Sequence, residues 1–371
     1  MLNFNLSKKK TILLFLIILF CILFTLNTTA QNLKIHFIDV GQGDSILIEE
    51  AGGQNILIDG GDRTDSITAR IISYLKEQKV KKLDYIISTH PHADHIGGLV
   101  DIINSFEVKT VLDSGKIHTS QTYENYLLKI DQENINFKTP RRGDQFEIGE
   151  SKITFLHPEE SLENYSLNNS SLVFVLEYDT QKFLFTGDIE KKVENKLLSE
   201  YPELQVNLIK VPHHGSKTSG LKSWINSLEP ELAVIQVGAD NHYDHPAAEI
   251  VELYQKLGAR VYRNDLNGNI VVTADGNNYT VKVDQITDLK NSKTYSETKS
   301  AAAEKYNSLI NINTASETSL DRLWGIGPAT AAKIISYREK NGYFKKIEEI
   351  KEVDGIGEEK FKHWQNKITV N

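Results

Sequence analysis

The chain has 371 residues, a formal net charge of −8 at pH 7 and one cysteine. This length suffices for two folded units, and the acidic average gives no global sign of a nucleic-acid partner. The single cysteine, Cys21, lies in an apolar N-terminal stretch, so the rest of the chain has neither a disulfide framework nor a thiol nucleophile.

The N-terminus has the pattern of an export signal. Lys8, Lys9 and Lys10 precede an apolar run of 15 residues from Ile12 to Leu26, and Ala30 follows as a small residue at a cleavage position. The run is shorter than the ~20 residues that a membrane-spanning helix needs, although a retained anchor remains the alternative. We predict that residues 1–30 are a signal peptide or N-terminal anchor and that the protein is secreted or extracytoplasmic.

Residues 31–284 alternate short β-like runs with helical stretches. Early hairpins followed by mixed strands and helices favour an α+β fold, an αββα sandwich, over a purely parallel sheet. The predicted strands are Leu33–Val40, Ser45–Glu49, Asn55–Ile58, Leu83–Ser88, Lys152–Leu156, Leu172–Tyr178, Phe183–Thr186, Leu204–Val211, Leu232–Val237 and Ile270–Thr273. The predicted helices are Ile67–Glu77, Lys191–Ser199, Gly220–Leu228 and Ala247–Leu257.

The segment Thr89–Gly98 contains the densest group of candidate metal ligands. Three imidazoles and one carboxylate fall within six positions, directly after the apolar run Leu83–Ser88. Imidazole and carboxylate suit zinc or manganese, and burying them without a partner would be costly. The candidate ligands here are His90, His92, Asp94 and His95.

Two later strands also end in candidate ligands. Asp188 follows the apolar run Phe183–Thr186, and its two carboxylate oxygens could bridge two metals. His213 and His214 follow Leu208–Val211, and the sequence does not decide which of them is the ligand.

These residues, in this order, resemble the ligand set of the metallo-β-lactamase-fold hydrolases, and Asp59 resembles the acidic residue that closes the early strands of that fold. Three further segments, Asp39–Ser45, Asn168–Val173 and Asn241–Pro246, resemble the hydrolase domain of ComEC-type competence proteins. The resemblance extends over roughly Leu33 to Asp284.

The sequence departs from the wider superfamily at one position. Many members have another histidine between the first cluster and the bridging aspartate, and here Asn168–Ser171 takes that place. His157 precedes Pro158 in an apparent loop, and we assign it a structural role. The resemblance implies two divalent metal ions, Zn²⁺ or Mn²⁺. Manganese is a candidate beside zinc because a site richer in oxygen ligands favours it.

A two-metal site activates water and stabilises phosphorane-like charge without a protein nucleophile. We predict Asp94 and His245 as the catalytic residues, with His245 protonating the leaving oxygen or holding a phosphate. Residues that orient the ligands or the substrate are predicted to be Asp44, Asp59, Asn169 and Ser171.

Residues 285–307 read as a polar linker, and residues 308–371 as a small all-α domain. The domain resembles the helix-hairpin-helix domain of ComEA-type DNA receptors, because Gly-Ile-Gly occurs twice between helical stretches. Glycine turns let backbone N–H groups approach phosphate, so the resemblance implies sequence-independent DNA binding. The predicted contacts are Gly325, Ile326, Gly327, Lys333, Arg338, Gly355, Ile356 and Gly357, with Lys345, Lys346 and Lys360 as further candidates.

The sequence therefore predicts an exported metal-dependent phosphodiesterase, a DNA nuclease linked to DNA uptake or to extracellular DNA degradation. One alternative is an extracellular hydrolase of another ester, such as a phosphocholine, a lactone or a β-lactam. The other is a non-catalytic DNA-binding protein.

Overall fold

A computed structural model describes residues 32–239, 241–285, 310–313, 315, 320, 323, 326, 328–365 and 367–370. The chain divides into two compact units, Met1–Ile286 and Thr287–Asn371. The predicted signal segment, 1–30, lies outside the described residues, as does the predicted linker after residue 285. In the described ranges, no helix is both long and apolar enough to cross a membrane.

The first unit contains two mixed β-sheets. One sheet has the strand order β15-β14-β1-β2-β3-β4-β5-β6 and the other β13-β12-β11-β10-β9-β8-β7. The strands are β1 (Leu33–Phe37), β2 (Ile46–Glu49), β3 (Asn55–Ile58), β4 (Lys82–Ser88), β5 (Glu107–Asp113), β6 (Asn136–Lys138), β7 (Gln145–Ile148), β8 (Ser151–His157), β9 (Val173–Tyr178), β10 (Gln181–Phe185), β11 (Leu208–Lys210), β12 (Leu232–Ile235), β13 (Arg260–Arg263), β14 (Ile270–Ala274) and β15 (Tyr279–Val283).

Helices accompany both sheets. They are α1 (Asp65–Glu77), α2 (Ala93–Ile96), α3 (Leu99–Ser105), α4 (Gln121–Gln132), α5 (Lys191–Glu200), α6 (Lys222–Leu228), α7 (Ala248–Lys256) and α8 (Asn264–Asn267), with 3-10 turns at Asn168–Ser170 and Pro212–Gly215. α1 begins where the Thr64 hydroxyl accepts a hydrogen bond from the Ile67 N–H, and it buries Ile71 and Leu75 on one face.

Three apolar clusters define the layers of this unit. The central cluster joins residues of both sheets, such as Ile35 and Phe174, so the sheets pack face to face. The second cluster packs α5, α6 and α7 on the outer face of one sheet, through residues such as Trp224. The third packs α1, α3 and α4 on the other sheet, through Tyr126 among others. This is the αββα sandwich that the sequence predicted.

Parallel pairing brings several strand ends to one place. β3 pairs with β4 in parallel in the first sheet, and β10, β11 and β12 pair in parallel in the second. The carboxyl ends of parallel strands lie on the same edge of a sheet, and ligands bind in the crevice beyond them. The predicted site residues Asp59, His90, Asp188 and His214 follow the ends of β3, β4, β10 and β11.

The structure also contains elements to which the sequence analysis assigned nothing. Residues 99–148 form α3, β5, α4, β6 and β7. The predicted strand Leu204–Val211 is shorter, since β11 covers only Leu208–Lys210. His157 was placed in a loop and is instead the last residue of β8, fully buried.

In the second unit, helices pack around a small apolar core. The described elements are β16 (Ile310–Asn311), α9 (Pro328–Asn341), a 3-10 helix at Ile347–Glu352, α10 (Glu358–Trp364) and β17 (Ile368–Thr369). Ile326, Ile356 and Trp364 lie in this core. β16 and β17 form a short parallel pair. The all-α prediction did not include these two strands.

Candidate metal centre

Buried histidines and aspartates meet at the carboxyl ends of the strands. Among the residues that the structure describes, four overlapping groups of three have ligand atoms within 4.8 Å of one another. These groups are His90 with His95 and Asp188, Asp94 with His95 and His214, Asp44 with Asp188 and His214, and Asp44 with Asp59 and His95. We call these seven residues the His/Asp cluster. It contains five of the predicted metal ligands and two of the predicted supporting residues.

Asp59 fixes the ring of His95. Its Oδ2 lies 2.8 Å from His95 Nδ1, and its two oxygens accept hydrogen bonds from the N–H and hydroxyl of Thr89 at 2.8 and 2.7 Å. With Nδ1 engaged, His95 presents Nε2 to the centre of the cluster. A carboxylate that orients a histidine in this way is typical of metal sites.

The backbone carbonyl of Gln236 orients the ring of His214. Its Nδ1 lies 2.9 Å from the carbonyl oxygen of Gln236, so its Nε2 points at the carboxylates. His213 is placed differently, because its Nδ1 contacts the Thr218 hydroxyl at 3.0 Å and its Nε2 faces the side chain of Asn168 at 3.3 Å. Of the two adjacent histidines, His214 is the one in the cluster.

The two oriented nitrogens lack hydrogen-bond partners. His95 Nε2 and His214 Nε2 are buried and unpaired among the described residues, although each lies 3.3 Å from Asp188 Oδ2. Buried polar atoms without partners are rare in folded proteins. Imidazole nitrogen and carboxylate oxygen at this spacing form a donor set that divalent transition metals prefer. The residues present therefore fit a divalent cation.

The imidazoles and carboxylates of the cluster shift each other's pKa. Burial lowers the pKa of His95, but the carboxylates of Asp188 and Asp94 overcome this effect and raise it well above the usual value. Burial opposes ionisation of Asp188 as well, yet His214 and His95 hold its pKa well below the usual range. The Asp188 carboxylate is thus charged and attracts positive charge.

Lys210 is a buried cation beside the cluster that the sequence patterns did not predict. Its ammonium is buried, pairs with Asp44, and lies 3.4 Å from Asp188 Oδ1 and 3.1 Å from the carbonyl oxygen of Gly187. Asp188 therefore turns Oδ1 to Lys210 and Oδ2 to the two histidines. That Asp188 bridges two metals stays a prediction.

His90 and His92 form the other side of the site. His90 is fully buried, and its Nε2 lies 3.0 Å from His92 Nδ1. Burial and the neighbouring His95 lower the pKa of His90 well below its usual value, which favours the neutral ring. A neutral imidazole is the form that binds metal. His92 lies outside the four groups but touches one of their members.

Glycine lets the first loop approach Asp94 closely. The backbone at Gly43 has a φ of 122°, and a Cβ there would collide with the carbonyl oxygen of Asp94. The adjacent Asp44 N–H donates to that same oxygen at 3.2 Å. The Asp39–Ser45 segment is therefore part of the support for the ligand loop.

The segment Asn168–Ser171, which takes the place of the additional superfamily histidine, hydrogen-bonds to the backbone of Asp188. The Ser171 hydroxyl accepts a hydrogen bond from the Asp188 N–H at 3.0 Å and donates to the carbonyl of Asn168 at 2.7 Å. The Asn169 side chain contacts Glu190 instead of the cluster. His157 hydrogen-bonds the carbonyl oxygen of Asn169 at 2.8 Å, which fits its predicted structural role.

His245 stands beside the cluster. Its ring centroid is 5.6 Å from that of His213 and 6.4 Å from that of His214. Burial and these two imidazoles lower the pKa of His245 to about 4, so its ring is neutral at neutral pH. A neutral ring is better suited to donating a hydrogen bond to phosphate than to carrying an extra proton for the leaving group.

In the second unit, several predicted DNA contacts are engaged within the protein. Lys333 pairs with Asp354 at 2.7 Å, Arg338 donates to the carbonyl of Ile312 at 2.8 Å, and Lys360 donates to that of Gly355 at 3.0 Å. Ile356 is buried in the apolar core of this unit, so its side chain does not face solvent. Of the other predicted contacts, Ile326 is buried, whereas Gly355, Gly357, Lys345 and Lys346 are exposed. Gly325 and Gly327 lie outside the described residues.

Comparison with known proteins matches both units. Residues 38–238 match the family model described as the metallo-beta-lactamase superfamily, and residues 305–369 match that of the helix-hairpin-helix motif. The chain is 31% identical over 252 residues to ComE operon protein 3 of Bacillus subtilis, covering 64% of this chain and 32% of that protein. It is 30% identical to Competence protein ComA of Neisseria gonorrhoeae, covering 62% of this chain and 30% of that protein.

A further relative matches a shorter stretch. The chain is 50% identical over 62 residues to ComE operon protein 1 of Bacillus subtilis, covering 17% of this chain and 30% of that protein. The chain thus spans about a third of the length of the curated relatives it matches.

Proposed function

The chain belongs to the metallo-beta-lactamase superfamily of metal-dependent hydrolases, and from this premise we propose that it is an exported phosphodiesterase that cleaves DNA. The observation that carries the proposal is the pair of unpaired, buried Nε2 atoms of His95 and His214, aimed at carboxylates in a chain that also has a helix-hairpin-helix module. The unpaired Nε2 atoms support metal-dependent hydrolysis, and the helix-hairpin-helix module supports DNA as the substrate.

Each residue of the site has a role in holding or orienting. The divalent cations would be held by ligands from one set of side chains: His90, Asp94, His95, Asp188 and His214, with His92 beside His90. Divalent cations, Zn²⁺ or Mn²⁺, supply Lewis acidity that activates water and offsets charge on a phosphate. Asp59 and the Gln236 carbonyl keep the rings in place, and Lys210 keeps Asp188 in place.

His245 acts on the substrate instead of on the cations. Its position beside His213 and His214 allows its ring N–H to donate to a phosphate oxygen. The neutral ring carries no charge that would compete with the cations. We therefore assign His245 to phosphate positioning, and Asp94 to the reacting centre as a ligand.

The helix-hairpin-helix module would hold the DNA backbone without reading its sequence. Linking this module to the hydrolase raises the effective concentration of DNA near the site. The names of two relatives refer to competence or to a ComE operon, which supports a role in DNA uptake. Degradation of extracellular DNA is chemically the same reaction.

A plasmid-relaxation assay with the full chain tests the proposal. Wild type is expected to nick plasmid DNA in Zn²⁺ or Mn²⁺, to stop in EDTA and to recover when metal is added back. The His92→Ala/Asp94→Ala variant is expected to lose nicking, whereas the exposed-surface control Lys256→Ala retains it.

Two outcomes would contradict the proposal. Turnover of a phosphocholine ester, lactone or β-lactam without nicking would identify a hydrolase of another ester. DNA retention without turnover in any divalent cation would identify a non-catalytic DNA-binding protein. Export is tested separately, by measuring the N-terminal mass of protein recovered outside the cell.

A further inference from the structure

The loop Asn241–Pro246 places an exposed aromatic ring beside the His/Asp cluster. Tyr243 is 66% exposed, and its ring lies 5.8 Å from the His245 ring at an interplanar angle of 25°. His245 in turn lies 6.4 Å from the His214 ring at 29°. A row of nearly parallel rings therefore runs from solvent to the cluster.

This loop is ordered by its own hydrogen bonds. Asn241 Nδ2 donates to the carbonyl oxygens of Gly238 and His245 at 2.7 and 2.6 Å. Asn241 Oδ1 accepts from the N–H groups of Tyr243 and His245 at 3.1 and 3.0 Å. One side chain thus fixes both ends of the turn, and the exposed position of Tyr243 is set by an ordered backbone.

We infer that Tyr243 and His245 form a stacking subsite for a nucleobase next to the phosphate that the cluster acts on, so that unpaired DNA is the preferred substrate and intact duplex a poorer one. This inference rests on the proposed phosphodiesterase function. Aromatic side chains bind bases through their faces, which tolerates every base. In a duplex, neighbouring bases cover those faces, so the ring can reach one only in a single strand, a gap or a flipped nucleotide.

The subsite and the second unit would bind different parts of the DNA. The helix-hairpin-helix module binds the backbone, whereas Tyr243 would bind a base and select for strands whose bases are free. The expected preference is for single strands over intact duplex, with little dependence on base identity.

Fluorescence of 2-aminopurine tests the subsite without requiring cleavage. The probe is a single-stranded trinucleotide with central 2-aminopurine and phosphorothioate linkages, titrated with the full chain in Mn²⁺. Wild type is expected to quench the probe by stacking. Tyr243→Ala is expected to bind it about tenfold more weakly and lose the quenching, whereas Tyr243→Phe retains both. Leu128→Ala is the matched control, because Leu128 is also an exposed apolar side chain, 50% exposed on α4.

A second arm separates this inference from the proposed function. Cleavage rates are compared for a single-stranded oligonucleotide and for the same strand with an abasic site at the scissile position. The inference predicts that Tyr243→Ala raises KM for the intact strand, with little change in kcat, and leaves the abasic strand unaffected.

Each outcome has one meaning. Tyr243-dependent quenching without any cleavage by wild type would support the subsite and overturn the nuclease function. Cleavage that is equal for both strands and for wild type and Tyr243→Ala, with unchanged quenching, would overturn the subsite and leave the nuclease function intact.

Discussion

The His/Asp cluster and the helix-hairpin-helix module each contain a lysine–aspartate pair, but in opposite environments. Lys210 and Asp44 are 1% and 2% exposed, whereas Lys333 and Asp354 are 50% and 89% exposed. The buried pair leaves each charge dependent on its partner, because water cannot replace it. The exposed pair is solvated, so water replaces either partner at little cost.

This difference shows how the two regions are built. In the cluster every charged or imidazole group is held by another buried group, so a single change affects several neighbours. In the second unit Lys333, Lys345 and Lys346 are exposed to solvent. Substitutions should therefore have large, coupled effects in the first region and small, salt-dependent effects in the second.

The largest effect is expected from Asp188→Asn. The amide keeps the shape but removes the charge that faces both His95 and His214. Loss of an outer partner of a metal ligand costs about 10- to 100-fold in affinity or activity, and we expect loss of the ligand itself to cost at least about 1,000-fold in cleavage rate. Elemental analysis measures the metal content and an assay measures the cleavage rate of both variants. The control is Asp354→Asn, which should keep the wild-type metal content. Equal metal content in the two variants would contradict the account.

Lys210→Met tests the coupling directly. It leaves Asp44 buried without its cation, and breaking a buried pair costs about 3–5 kcal/mol of unfolding free energy. Lys333→Met removes the exposed counterpart and should cost less than about 1 kcal/mol. Urea unfolding in EDTA measures both. Similar losses in the two variants would remove the distinction between the regions.

The pH dependence of stability provides a third comparison. Burial raises the pKa of Glu194 to about 7 from a usual 4.5, although it accepts hydrogen bonds from the N–H groups of Gly220 and Leu221. The folded state then binds the proton more tightly than the unfolded state, so the contribution of Glu194 to stability is fully present below pH 4.5 and is lost as the pH rises through about 7. The change is about 3 kcal/mol.

Glu194→Gln should flatten this dependence, because the amide does not titrate. Urea unfolding of wild type and variant at pH 5 and pH 8 checks the prediction. The same fall in stability in both proteins would show that Glu194 is not its cause.

The smallest effect is expected in the second unit. Lys345 and Lys346 are exposed on the segment after α9. Lys345→Ala/Lys346→Ala is expected to weaken duplex binding a few-fold at moderate salt and to reduce the slope of log affinity against log salt by about 2. Cleavage of a trinucleotide, too short to engage the module, should not change. An unchanged salt slope would exclude both lysines as phosphate contacts.

Part of this site could be predicted because its ligands follow apolar strands. His90–His95 and Asp188 come directly after β4 and β10, and strand ends gather at a sheet edge. The layered fold was predictable from the same alternation of elements. These features depend on local patterns that a sequence displays directly.

The rest depends on contacts between distant segments. Lys210 occurs in a three-residue strand and looks like an ordinary surface lysine, and only the folded chain brings Asp44 to it across 166 positions. Arg338 looked like a phosphate contact, but its guanidinium bonds the Ile312 carbonyl 26 residues away. Sequence spacing cannot distinguish a cation that faces solvent from one that is already engaged.

The most direct test of the central claim is metal analysis of the purified full chain coupled to cleavage of single-stranded DNA. Metal is removed with a chelator and restored stepwise, and bound metal and rate are measured at each step. The account predicts that cleavage is absent without metal and rises with bound Zn²⁺ or Mn²⁺ towards two ions per chain. Cleavage that persists after complete metal removal, or full metal loading without cleavage of any DNA, would contradict it.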